Sequence, residues 1–276
     1  AKPMATPMNK ADFLYHMTVN GACVFPQVVP PALCERMKTE AMDYYAERRP
    51  VQIAAGMAKE TEWGMHHTCG KHDSFHTFLD AAYLDSYISA YFDDKPYILN
   101  GISSLMNPPA TLEGKYEHGH NWHRDVRTYV GQGNRQLLIA LLMLDDFTEQ
   151  NGATNVLFGT HRHPDFPPED FVARETRLAC GPQGSIVLLD GDVWHRTGLN
   201  TTDKPRFALS CVLTRPFFKQ QLDYPRFFDA AYAESLSPHL RQLFGFNART
   251  PTNIEEWYQH PAHRFYQPNQ EKIIPK

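Results

Sequence analysis

"GSIVLLDGDVWHRTG", residues 184–198, decides how this chain is read. A short apolar run from Ile186 to Leu189 ends in an Asp-Gly turn, and a tryptophan and a histidine follow at once. So short an apolar run, bounded by turn residues, fits a buried β-strand better than a helix. Similar runs surround it: "YILNGISSLM" (97–106), "RQLLIALLMLDDF" (135–147), "TNVLFGTH" (154–161) and "PRFALSCVLTRPFF" (205–218). Turn signals such as "QNGAT" (150–154) and "GPQG" (181–184) separate them, and Asn151-Gly152 suits a tight turn because both residues tolerate positive φ. Several short strands at this spacing predict an all-β sandwich or barrel.

Outward from these runs the texture becomes helical. Behind Pro31 the apolar positions Leu33, Met37, Ala41 and Tyr44 recur at helical spacing, and Phe78, Leu79, Ala82, Tyr83, Tyr87 and Tyr91 do so behind Ser74 as N-cap. Between them "VQIAAGMAKETEWGMHHTCGKHD" (51–73) has no sustained period and reads as a long loop, a candidate lid that would exclude water from a site. "RFFDAAYAESLSPHLRQLFGF" (226–246) is helical again. The expected fold is mainly β with flanking helices, one domain over residues 1–276. It has a helical cover (about 10–95), a β core (about 96–218) and a helical extension (about 219–276).

Composition narrows the function classes. With 276 residues, 42% hydrophobic, the chain can bury a sizeable core. A net charge of -4 without any Lys/Arg run speaks against nucleic acid as a partner. No apolar run reaches membrane-spanning length and the start, "AKPMATPMNKADF", lacks a signal-peptide core, so a soluble cytoplasmic protein acting on a small molecule is expected. Five scattered cysteines, never spaced CxxC, indicate buried thiols rather than a disulfide framework or zinc knuckle. Oligomeric state is not legible.

The chemistry concentrates in "NWHRDVR" (121–127). On a strand, residues two apart share a face, so His123, Asp125 and Arg127 would project together. His195, 70 residues after Asp125, supplies a second imidazole. Two histidines and one carboxylate with open positions suit non-haem Fe(II), and the same donors suit zinc and an activated water. Arg206 lies 11 residues past His195, far enough for the chain to turn and run back beside it, and its planar fork matches the carboxylate of an oxoacid cosubstrate. Arg127 and Trp122 are candidate substrate contacts. A cation aimed into the cavity would call for a carboxylate or phosphonate on a small polar substrate, whereas a strand ending by Val126 would turn Arg127 outward.

The ordered set of His-x-Asp, "NGATNVLFGTH" (151–161) and "DGDVWHRTGLNTTDKPRFALS" (190–210), preceded by "NGACVFPQVVPPALCERM" (20–37), resembles the phytanoyl-CoA dioxygenase family of Fe(II)/2-oxoglutarate-dependent oxygenases. The likeness runs to about Phe218. It implies a double-stranded β-helix, a cupin-like jelly-roll barrel, in which His123, Asp125 and His195 are the catalytic iron ligands. Arg206 would hold the distal carboxylate of 2-oxoglutarate, with Thr197 beside it and Ser210 a further candidate. O2 would be the second cosubstrate and hydroxylation of a C–H bond the outcome.

Two departures shape the carry-over. Leu141 stands where acyl-CoA-acting members place a tryptophan, so the namesake substrate is not implied, and Asp125 is retained where halogenating relatives carry a small residue. A metal-dependent hydrolase or isomerase and a non-catalytic jelly-roll binding module are the competing classes. His161 is expected to serve as a structural hydrogen-bonding residue, while His66 and His67 lie in the loop where they could reach substrate.

Overall fold

Each apolar run of the sequence forms a strand, and together they build two antiparallel sheets. The structure, a computed structural model, describes residues 3–70, 72–111, 120–131 and 133–263. Among the described residues nine strands follow in chain order: β1 (Ala22–Phe25), β2 (Gly64–His66), β3 (Ile98–Asn107), β4 (Leu137–Met143), β5 (Thr154–Leu157), β6 (Thr176–Ala179), β7 (Ile186–Asp190), β8 (His195–Arg196) and β9 (Arg206–Thr214). The larger sheet has the order β1-β7-β4-β9-β3-β2 and the smaller β6-β5-β8.

The central strand β4 explains the layering. All seven of its residues are buried, because both faces of the sheet are covered. Leu138, Ala140 and Leu142 join a cluster with residues of the flanking helices, while Leu137, Ile139, Leu141 and Met143 join a second cluster that includes Val156 and Ala179 of the smaller sheet. The same alternation runs along β9. Leu209, Cys211 and Leu213 pack toward the helices, and Arg206, Ala208, Ser210 and Val212 face the space between the sheets. A two-layer jelly roll with a helical coat results.

Four helices precede β3: α1 (Lys10–Val19), α2 (Pro31–Ala54), α3 (Ser74–Asp80) and α4 (Asp85–Tyr91). Proline occupies the first turn of α2, and Leu33, Cys34, Met37 and Ala41 are its buried stripe. The single helix expected over 74–91 is two, because Ala82 (φ 52°) and Leu84 (φ 60°) take left-handed backbone between them. Its cap is Asp73, whose carboxylate accepts the His76 N–H at 2.8 Å, and not Ser74, whose hydroxyl is given to Glu40. α1 escapes a sequence reading because it buries only Phe13 and Met17.

The expected loop over 51–73 is shorter than its sequence suggests. α2 runs to Ala54, and β2 pairs with Leu105, Ser104 and Ser103 of β3. The larger sheet therefore takes its two outer strands, β1 and β2, from the helical N-terminal third rather than from the 96–218 core. After β9, short helices at Tyr224–Phe227, Ala230–Ser235 and Pro238–Leu243 close over the outer cluster; residues 264–276 of the expected extension lie outside the described residues. No helix among the described residues is long and apolar enough to cross a membrane. All five cysteines are free, with Cys180 exposed and the others buried.

Asn151-Gly152 forms the expected tight turn, with Gly152 at φ 81°, and a Cβ there would lie 2.3 Å from the Gly198 carbonyl oxygen. Gly152→Ala is therefore expected to lose at least about 1–3 kcal/mol of stability from backbone strain alone, read as a lower urea midpoint at unchanged slope.

Candidate metal centre

The two histidines meet through their backbones. His123 donates its N–H to the His195 carbonyl and receives the reciprocal bond, both at 3.0 Å, an isolated antiparallel bridge outside any named ladder. Their rings lie 4.4 Å apart, and Asp125 Oδ1 sits 3.8 Å from His123 Nε2 and 3.9 Å from His195 Nε2. One ligand atom from each of the three residues falls within 4.8 Å of the others.

Each imidazole is oriented by a carbonyl two residues earlier. His123 Nδ1 lies 2.8 Å from the Asn121 oxygen and His195 Nδ1 lies 3.1 Å from the Val193 oxygen. A proton on each Nδ1 leaves both Nε2 lone pairs facing the carboxylate, the arrangement a divalent metal requires. Burial, followed by the neighbouring His195, pushes the His123 imidazole below its ordinary pKa and favours the neutral, ligating form.

The His-x-Asp segment is not the strand expected from its sequence. Asp125 and Val126 both donate to the Gly191 carbonyl, at 3.2 and 3.1 Å, so the chain bends and strict alternation of faces is lost. Asp125 still joins the histidines, but Arg127 is exposed and outside the cavity lining. Trp122 also stays outside it, tilted against Phe166 and under the Arg196 guanidinium at 4.5 Å.

Between the sheets lies a cavity of about 350 Å³ lined by the triad, Arg206, Thr197 and Ser210. Arg206 does not run beside the histidine's strand, as expected. It opens β9 in the larger sheet, paired with Asn107, while His195 belongs to the smaller sheet facing it. Its side chain is buried above the Phe147 ring, 3.8 Å from the centroid, and its Nε and Nη1 lack any hydrogen-bond partner among the described residues. Burial lowers its pKa to about 9, with only partial compensation from Asp145, whose carboxylate is already engaged by Lys38 and the Phe207 N–H. A desolvated cation with unused donors is a fitted receptor for an anion.

Sequence reasoning missed Arg124, the residue between the two predicted ligands. Its guanidinium donates to the carbonyls of Pro164, Thr160 and His163 and stacks over Trp194, 4.9 Å from the centroid. Trp194 in turn donates its backbone N–H to Thr160 Oγ1, so the Arg124 side chain ties the His-x-Asp bend to the segment that carries His195. Asp192 supplies nearby negative charge; burial and then Asp190 push its carboxyl up to about 6. Alternating arginines around a motif look like surface charge in sequence, so nothing there singled this one out. His161 holds the Thr18 carbonyl at 3.0 Å, and His67 meets the Tyr224 hydroxyl at 3.0 Å, while His66 lines the cavity.

The sequence profile described as "Phytanoyl-CoA dioxygenase (PhyH)" matches residues 17–208. The uncharacterised protein Rv1501 of Mycobacterium tuberculosis is 29% identical over 219 residues, 78% of each chain. Dioxygenase hkm4 of Aspergillus hancockii is 30% identical over 175 residues, 58% of this chain and 53% of the relative. Among solved structures, EctD from S. alaskensis, crystallised with 2-oxoglutarate and 5-hydroxyectoine, superposes with a TM-score of 0.56 at 19% identity, over 77% of this chain and 79% of the other, a likeness of fold.

Arg124→Ala should loosen the bend that carries His123 and Asp125. Removing such outer support typically costs roughly 10- to 100-fold in metal affinity, and titration with Fe(II) or Mn(II) measures it; an unchanged dissociation constant would show that the bend holds without the clamp.

Proposed function

Since the chain belongs to the phytanoyl-CoA dioxygenase family of Fe(II)- and 2-oxoglutarate-dependent oxygenases, we propose that His123, Asp125 and His195 hold its iron. Arg206 and Thr197 then hold 2-oxoglutarate, and the reaction is hydroxylation of a C–H bond in a small polar metabolite. The observation that carries this reading is the pairing, in one cavity, of a His/Asp/His cluster with a buried arginine that has no anion of its own.

When bound, Fe(II) with O2 and 2-oxoglutarate supplies the oxidation: the oxoacid loses CO2 and becomes succinate, one oxygen atom going into succinate and the other into the C–H bond. The protein's part is geometric and electrostatic. The three side chains would hold Fe(II) at the cavity wall, with the rest of the cavity beside them for the cosubstrates. Arg206 neutralises the distal carboxylate deep between the sheets, and Thr197, also on the cavity wall, is placed to add a hydroxyl. Leu105, Ile139, Leu141 and Val212 line the same space and keep water from it.

His195→Ala should abolish both Fe(II) retention and succinate formation, since two remaining ligands hold the metal too weakly. Retained iron and substrate-dependent succinate would sink the triad assignment. Arg206→Ala should raise the 2-oxoglutarate requirement roughly ten- to a hundred-fold, the worth of a hydrogen bond to a charged group, about 1.5–3 kcal/mol. Arg206→Lys should recover only part of it.

The same burial predicts a trade of stability for binding. Replacing the uncompensated guanidinium by an apolar chain, Arg206→Met, is expected to stabilise the ligand-free protein by about 1–4 kcal/mol while abolishing thermal stabilisation by 2-oxoglutarate. In the wild type Arg206 is charged below its lowered pKa, so 2-oxoglutarate affinity should be flat up to pH about 9 and fall as pH rises through that value. Isothermal titration across pH 7–10 reads the slope.

A further inference from the structure

The wall of the cavity away from Arg206 carries a row of neutral hydrogen-bonding groups. Ser210 of β9 pairs with Ser103 of β3, which pairs with His66 of β2, so the three lie side by side across the larger sheet. All three face the cavity, about 5 Å apart from one neighbour to the next. One rung further along β3, Gly101 has no side chain, and the Gln221 amide fills that place: a Cβ on Gly101 would lie 2.5 Å from Gln221 Oε1. Gln221 belongs to the segment after β9, and it too lines the cavity. Desolvation first, and the Arg48 guanidinium second, hold the imidazole of His66, which sits at the exposed rim of the cavity, below its ordinary pKa.

Ser210 is too far along its strand to share the cosubstrate with Arg206. They stand four positions apart, about 14 Å of extended chain, and both side chains stand roughly perpendicular to the sheet. Its hydroxyl belongs with Ser103 and His66.

The charge balance of the cavity is complete without the substrate. Two positive charges on Fe(II) and one on Arg206 are met by one negative charge on Asp125 and two on 2-oxoglutarate. No further lysine or arginine lines the cavity among the described residues: Arg127 is exposed outside it, and Arg48, behind His66, is engaged by the His66 and His67 carbonyls. An acidic substrate would enter the cavity with its carboxylate facing no cation among the described lining residues, which is unfavourable to the extent that it loses water.

Resting on the iron and 2-oxoglutarate reading above, we propose that the substrate is an uncharged, polyhydroxylated small molecule, held by Ser103, Ser210, His66 and Gln221 as specificity-determining residues. Hydroxyl groups both donate and accept, and so match serine hydroxyls, a neutral imidazole and an amide together. The aliphatic side chains Leu105 and Val212 on the same wall receive the C–H faces of such a ring.

The test uses the full chain loaded anaerobically with Fe(II) and 2-oxoglutarate, whose weak visible metal-to-ligand band reports docking next to the metal. Methyl glucoside and myo-inositol are compared with glucuronate as a matched acidic probe. The neutral probes should shift the band and glucuronate should not. Ser103→Ala and Gln221→Leu should each weaken the neutral probes about 2- to 12-fold, the worth of one neutral hydrogen bond. Gln221→Lys, which adds a cation to the wall, should bring glucuronate in. A band that forms and then responds to glucuronate alone, or to none of the probes at millimolar concentration, overturns the proposal by itself. No band before any probe is added overturns the iron and 2-oxoglutarate assignment, and this proposal with it.

Discussion

Two backbone hydrogen bonds between His123 and His195 are the constraint on which the centre depends. They join a bent segment to the short strand β8 and place the two imidazoles 4.4 Å apart. Each ring is then turned by a carbonyl two residues upstream, a local device repeated on both segments. Arg124 extends this hold outward to residues 160–164 and to Trp194. The placement of the three side chains is thus set by main-chain contacts and by the half-buried Arg124 guanidinium.

The second determinant is an unfavourable one. Arg206 sits desolvated between the sheets with unused donors, and Asp145, the nearest compensating carboxylate, is occupied by Lys38 and a backbone N–H. A cation so placed lowers the stability of the empty protein and raises affinity for a matching dianion. The pleat makes this possible: alternate residues of β9 face a dry helical layer, while Arg206 and Ser210 face the cavity. One strand therefore serves the core and the site together.

The bend at residues 121–127 shows how one hydrogen-bonding choice redirects a substrate argument. Had the segment been a strand, Arg127 would have shared the face of His123 and Asp125 and asked for an anion. Instead Asp125 and Val126 converge on a single carbonyl, that of Gly191, which approaches so closely that a Cβ there would lie 2.7 Å from Val126 Cγ2. Arg127 turns to solvent, and Ser103, Ser210 and His66 line the cavity where an arginine was expected.

The amino-acid order alone determined the strands at 97–106, 135–147, 154–161, 184–195 and 205–218, since apolar runs between turn residues have few other ways to bury themselves. It also marked His123, Asp125, His195 and Arg206 as candidates, because two imidazoles, a carboxylate and a following arginine are donors for a metal and a receptor for an anion. Tertiary structure decided what depends on contacts far apart in the chain. β1 and β2 became sheet edges although their surroundings read as helical, the helix at 74–91 broke where left-handed residues let it pack on the sheet, and Arg206 took its place in the sheet opposite His195. Arg124 and Gln221 acquired their roles for the same reason: each acts on partners at least 36 residues away, Arg124 on Thr160 and Gln221 on Gly101, and local pattern carries no record of such contacts.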